Sequence, residues 1–581
     1  MKNMIHAGTV DEIKESGSKV IKGERSSIAV FYHEGEFYAL DNRCPHMGFP
    51  LHMGSLCDGI LTCHWHHARF DVCSGGTLDP WADDVTSYPV EVQEGAVYVR
   101  SQPVKKDALH HYRKRLQEGL EQNLRLVIAK AVVGLLEEGE PAARVAQIGV
   151  EFGTTHRQPG WRSGLTILTA MVNILPKLDR QGKILALYQG LVHVARESAG
   201  QGTRFMLDSL PVKNVDHGQL TRWYRQSVEV RDIQGAERIL LTAIRSGATE
   251  KQLADMMMAA VTDHYYMNEG HILDFHNKAF EILQHIGVEH RERVLTSLLP
   301  DLRHAQRSEE LHSWQSPVDL VTPLEQAFTQ LKAWSPGKDE GEVDEETLYK
   351  LLLGDQPQKT VEGMVDALHR GTSPVWLARL VTLAAAERIA RFHMQNEFAD
   401  WITVLHTFTH AHAVHQSLKR SVTPELLRGV FHTAMRIYLD RFLNVPAAKK
   451  PQRKRNLAGK APNPETLLDL LDQQQQVEKA ADWVSDYLNC DGNPQELFNI
   501  LGHALLREDA EFHSFQMTEA AMAEHDEWER VESEFAEDAK RTLILALTRY
   551  LAAHAPTARE LPHTARIAWR LHKGDNLFQE D

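Results

Sequence analysis

Along the first hundred residues, apolar positions come in short runs: Ile28–Tyr32, Phe37–Leu40, Val90–Val92 and Val97–Val99. Runs of that length predict β-strands, and the pairs Glu34-Gly35 and Glu94-Gly95 between them predict hairpin turns. Gly48, Gly54, Gly59, Gly75 and Gly76 mark loops. The pattern changes near Pro103. From Asp107 onward apolar residues recur at helical spacing, as at Leu377, Leu380, Val381, Leu383 and Ala384, which predicts amphipathic helices. The reading is an α+β multidomain chain: a small antiparallel β domain over residues 1–104, then a large all-α domain over 105–581. Two stretches inside the helical part read as exposed connections, the charged 334–346 and the basic, Pro/Ala-rich 445–464.

A weak internal repeat runs through the helical part. Gly371-Thr-Ser-Pro-Val-Trp-Leu377 resembles Gly247-Ala-Thr-Glu-Lys-Gln-Leu253, with the same spacing at Gly139–Val145 and one residue less at Gly492–Leu497. Such a pattern predicts an array of about three to four helix units.

Composition narrows the class. With 581 residues the chain is too long for one core. A formal charge of −15 argues against general nucleic-acid binding. Apolar runs long enough for a membrane span are absent, and Met1–Val10 lacks the apolar stretch of a secretory signal. There are five cysteines, four of them between Cys44 and Cys73. That is too few for a disulfide scaffold and fits a cytoplasmic protein with a thiolate metal site.

The strongest chemical signal is Cys44-Pro45-His46, sixteen further residues, then Cys63-His64-Trp65-His66. Two loops that each supply one thiolate and one imidazole can enclose a two-iron cluster, two thiolates on one iron and two imidazoles on the other. A Cys₂His₂ set can also hold zinc. Against zinc stand the Cys-x-His and Cys-x-x-His order and the surrounding glycines.

On these residues, with Ala68-Arg69-Phe70-Asp71, Gly75-Gly76 and Pro89-Val90, the sequence resembles the Rieske ferredoxin family over roughly residues 3–102. The resemblance implies a small antiparallel β fold carrying a [2Fe–2S] cluster at one tip. It implies Cys44 and Cys63 on the inner iron, and His46 and His66 on the outer one. High-potential members have a disulfide between the two loops and hydroxyl groups beside the cluster sulfurs. Phe49 and Trp65 stand where those cysteines would be, and Ala68 and Phe70 supply no hydroxyl. The resemblance therefore implies a potential at the low end of the Rieske range, about −150 mV. Cys57 and Cys73 read as free thiols, and His64 and His67 as surface or supporting residues.

Histidine is abundant, with 32 residues, most of them outside the cluster motif. His271-x(4)-His276 matches part of the iron motif of ring-hydroxylating oxygenases, but Asn268 stands where that motif has an acid, so the helical part is not read as that catalytic domain. His393 and Glu397, and His406 and His410, are four apart and share a helix face. The repeat register places His156, His264, Arg388 and Glu508 at one recurring position, and Trp161, Glu269, His393 and His513 at another. His264, Glu269, His393, His406, His410 and His513 are therefore candidates for a second metal, a non-haem iron or another ion, held between facing helices.

No phosphate loop or dinucleotide fingerprint is present, so an external reductase or ferredoxin is the expected electron donor. The reading is an iron–sulfur oxidoreductase in which a low-potential cluster feeds a metal-dependent, O₂-using site acting on a small molecule. The alternative is an electron carrier or redox sensor fused to a helical binding scaffold. No nucleic-acid or membrane partner is expected.

Overall fold

A computed structural model describes residues 3–24, 26–103, 107–212, 216–332, 334, 344–451, 461–575 and 577. The domain boundary expected near residue 104, and positions 335–343 and 452–460 of the two expected connections, lie outside these. The chain divides into two compact units, Met1–Ile148 with Leu561–Asp581, and Gly149–Glu560.

Among the described residues the first unit carries ten short strands: β1 (Met4–Thr9), β2 (Ser18–Lys22), β3 (Ser27–His33), β4 (Glu36–Asp41), β5 (Ser55–Cys57), β6 (Ile60–Thr62), β7 (Arg69–Asp71), β8 (Ser87–Tyr88), β9 (Val90–Gln93) and β10 (Ala96–Arg100). They form three antiparallel sheets, ordered β1-β10-β9, β2-β3-β4-β8 and β5-β6-β7. The hairpin turns fall where the sequence places them. Glu34 and Gly35 have φ of 49° and 95°, and Glu94 and Gly95 have 50° and 76°. Both central residues being left-handed is the signature of a type I′ turn, whose twist matches the flanking strands.

Strand β3 is apolar on both faces, and its period of two explains why. Ile28 and Val30 enter a core with Ile13, Ala39, Val97 and Val99. Ala29 and Phe31 enter a second core with Leu40, Leu51, Leu61, Phe70, Cys44 and Cys63. The second core roots the two cysteine-bearing loops. The same compact unit also takes in the helices Ala108–Glu121 and Arg125–Glu137, beyond the last strand.

The second unit is helical throughout its described residues, and none of the described helices is long and apolar enough to cross a membrane. Four helices pack around one another: Ser163–Ile174, His271–Ile286, Phe398–Arg420 and Phe512–Glu529. The helix Phe398–Arg420 is buried without interruption from Val404 to His415. A helix covered on every side is what a bundle centre requires. It nevertheless carries His406, His410, His412 and His415 in that stretch, so each imidazole must find a polar partner.

Candidate metal centres

The two cysteine loops share one local design. Cys44 N–H donates to Phe49 O and Gly48 N–H returns to Cys44 O, at 2.7 and 2.8 Å. Cys63 N–H donates to Ala68 O and His67 N–H returns to Cys63 O, at 2.8 and 3.0 Å. In each loop the residue four past the cysteine closes the turn with positive φ, Gly48 at 89° and His67 at 62°. Glycine suits that conformation, whereas His67 holds it at a steric cost.

These turns bury both sulfurs, each cysteine being about 1% exposed, and carry the imidazoles outward. The Cys63 thiol is pulled down to about 6, by a hydrogen bond from Cys44 and by the backbone N–H groups of Trp65 and His66. Cys44 is pushed up by its neighbour Cys63 and by burial. Two thiols share one small space, and reciprocal loss of their protons is what metal binding brings about. The His46 and His66 rings lie edge to face, 4.8 Å between centroids. Burial, then the charge of Lys130, lowers His46 to about 4, so its imidazole is neutral. Its Nδ1 is buried without a hydrogen-bond partner. An orphaned, neutral ring nitrogen beside two buried thiols fits a [2Fe–2S] cluster with Cys44, His46, Cys63 and His66 as donors. All five cysteines are free.

In the second unit, three imidazoles converge from three helices. Ring nitrogens of His271, His406 and His513 lie within 4.8 Å of one another. His406 Nε2 and His513 Nε2 are 2.9 Å apart, and the His271 ring stands 4.5 Å from that of His406. Two nitrogens bound to one ion about 2.1 Å away, at roughly a right angle, are about 3.0 Å apart. Each of two rings is braced on its far side by a carboxylate: His406 Nδ1 is 3.0 Å from Glu269 and His513 Nδ1 is 2.8 Å from Glu511. Carboxylates in that position fix the ring orientation and raise ligand basicity. Burial lowers His271 and His406, so both rings are neutral and available to a metal.

Local structure sets this geometry. Glu511 is the N-cap of the helix that carries His513, and accepts from the backbone N–H groups of His513 and Ser514. His271 opens its own helix after a strained turn in which Tyr266, Asn268 and Glu269 have φ of 49°, 47° and 56°. Left-handed backbone at three non-glycine residues persists only where the surroundings enforce it. Here Asn268 exchanges hydrogen bonds with the backbone of Gln306. Gly270, at φ 96°, has no room for a Cβ, which would meet His410 Cβ at 2.9 Å.

Of the six sequence candidates for a second metal, Glu269, His406 and His513 come together here, joined by His271. The other three have different partners. His264 is held between Glu309 and Glu229 at 2.6 and 2.7 Å. His410 Nδ1 is 2.8 Å from Thr433. His393 Nδ1 accepts from Gln395 N–H. Further along the bundle a second polar group joins Glu281, His412 and Glu519. Its cation is already present: Lys278 Nζ donates to Glu281 at 2.8 Å and to Glu519 at 2.7 Å. The sequence alone offers His271 only as part of an incomplete oxygenase motif, and gives no local sign of the role of Lys278. The Asn-Glu-Gly turn before His271 was the available signal for the first.

The Rieske [2Fe-2S] domain model matches residues 3–89. Over 99 residues the chain is 35% identical to the ferredoxin component of the naphthalene 1,2-dioxygenase/salicylate 5-hydroxylase systems of Ralstonia sp., covering 17% of this chain and 95% of that protein. It is 34% identical over 93 residues to the 3-phenylpropionate/cinnamic acid dioxygenase ferredoxin subunit of Photorhabdus laumondii, 16% of this chain and 88% of that one. The ferredoxin component of the alkene monooxygenase system of Xanthobacter autotrophicus is 31% identical over 99 residues, 17% of this chain and 81% of that one. Through its N-terminal residues 3–89, this chain belongs to the Rieske [2Fe–2S] domain family.

Proposed function

We propose that this protein is an iron–sulfur oxidoreductase in which the Rieske cluster passes single electrons to a metal-dependent, O₂-using site in the helical unit. Cys44, His46, Cys63 and His66 hold the cluster, and His271, His406 and His513 hold the second metal, a non-haem iron being the ion that O₂ chemistry favours. The observation that carries this reading is the convergence of the three imidazoles, two of them braced by Glu269 and Glu511.

Similar ferredoxins are named as components of dioxygenase and monooxygenase systems. By that analogy the electron donor is an external reductase or ferredoxin, and the substrate is a small molecule oxidised with O₂. In such systems the ferredoxin is a separate component, whereas here the Rieske domain and a helical unit share one chain. The residues around the imidazoles hold and orient them. Glu511 and Glu269 fix the rings, and burial keeps His271 and His406 unprotonated.

The test is metal and acid-labile sulfide content of the anaerobically purified full chain. Two sulfides with more than two irons, or with two irons and another transition metal, are expected. Two irons and two sulfides alone would instead favour an electron carrier or redox sensor on a helical scaffold.

A further inference from the structure

The loop that carries His46 is gripped by a residue far outside the matched family region. Lys130 lies on the helix Arg125–Glu137, in the same compact unit as the strands. Its ammonium donates to Pro45 O at 2.5 Å and to His46 O at 3.2 Å. Asp83 completes its shell, 3.4 Å away. Three N–H groups meet three acceptors, the arrangement an ammonium requires, around a side chain that is 10% exposed; burial lowers this lysine from its usual range, and Asp83 opposes that fall. Asp83 is anchored in turn by Arg115, at 2.8 Å. Arg115 also donates to Pro80 O and Ala82 O. Between those two residues Trp81 presents its ring to His46, 4.8 Å between centroids.

The two cysteine loops are therefore unequal in their surroundings. His64 to His67 of the second loop are exposed. The first loop has a buried cation on the peptide of its one histidine, His46. Reduction adds one negative charge to a cluster, and a fixed cation nearby favours the reduced form. Asp83 opposes it from behind the ammonium.

We infer that Lys130 is a positioning residue that sets the reduction potential of the cluster, holding it above the value the same β domain has without that charge. The inference rests on Cys44, His46, Cys63 and His66 being the cluster ligands. If that assignment fails, the wild-type protein itself lacks the two irons, the two sulfides and the Rieske EPR signal, a result distinct from any shift between variants.

The experiment is an EPR-monitored redox titration of the full chain with its cluster, comparing wild type with K130M, D83N and the double variant. K130M is expected to lower the midpoint potential at unchanged iron and sulfide content, and D83N to raise it. The double variant is expected between the two. A K130M midpoint equal to wild type at full cluster loading overturns the inference, as does a shift of the same sign in K130M and D83N. Should K130M fail to load a cluster, D83N decides alone: no shift, or a lowered midpoint, overturns it.

Discussion

His406 and His513 face each other Nε2 to Nε2 across 2.9 Å, from two helices of one bundle and a hundred residues apart in sequence. Their Nδ1 atoms are engaged by Glu269 and Glu511. Two imidazoles braced from behind and pointed at each other, with a ring nitrogen of His271 within 4.8 Å, make an arrangement that could hold a metal ion.

Replacing His513 by Ala is expected to remove the proposed second metal and leave the Rieske cluster in place. E511Q keeps the ligand but weakens its brace, and is expected to reduce metal affinity about 10–100-fold. Metal analysis of both variants after dialysis, with the Rieske EPR signal as internal control, checks this. Unchanged metal content in the His513→Ala variant would remove His513 from the ligand set.

Cys63→Ser is expected to abolish the Rieske EPR signal and the acid-labile sulfide, because the sulfur is buried in the core that roots both loops. Most of the helix lies in the other compact unit, so far-ultraviolet circular dichroism is expected to stay close to wild type. A retained Rieske spectrum would sink the assignment of Cys63.

Much of the β domain was legible because its signals are local. The type I′ turns at Glu34-Gly35 and Glu94-Gly95 need residues that accept positive φ, and the Cys and His residues of the motif sit within three residues of each other in each loop. The switch to helical periodicity after Pro103 was equally local. The bundle site was half legible. His406 and His513 could be proposed from helical spacing and the repeat register. His264 and His410 fit the same arguments, but their nitrogens are satisfied by Glu309, Glu229 and Thr433, from distant segments. Spacing along one helix cannot report such tertiary competition. The motif around His271 lacks its acid because Asn268 stands there, and Asn268 instead pins the turn that precedes His271. Lys278 and Glu281 have the spacing of an ordinary surface pair, and nothing local says that this lysine is 1% exposed.

That burial makes Lys278 a sensitive position. Its ammonium neutralises Glu519 and Glu281 in the bundle core. K278M takes from Glu519 one of its two neighbouring cations, His412 being the other, and removal of one partner of a buried pair costs up to about 3–5 kcal/mol. A marked fall in the denaturant midpoint of the helical unit is expected, with partial recovery in the K278M/E519Q double variant. A K278M midpoint within error of wild type would show that Lys278 carries no such load.

The His412 side chain gives the helical unit a defined pH response. Burial pushes this imidazole down, but Glu519 and Glu524 outweigh burial and raise it to about 9, from an ordinary value of 6.5. Glu519 itself is held down at about 2, against its own burial, by Lys278 and His412, so it stays ionised throughout this window. A histidine with a raised folded-state value binds its proton more tightly in the native than in the unfolded chain. Its contribution to stability is fully present below pH 6.5 and is lost as the pH rises through about 9. H412Q is therefore expected to melt below wild type, with the widest gap under pH 6.5 and a narrowing gap toward pH 9. Melting temperatures of both proteins at matched ionic strength across that interval check the sign. A gap that widens with pH would mean that His412 is neutral in the native bundle, its one ring N–H donated to Glu524 at 2.7 Å.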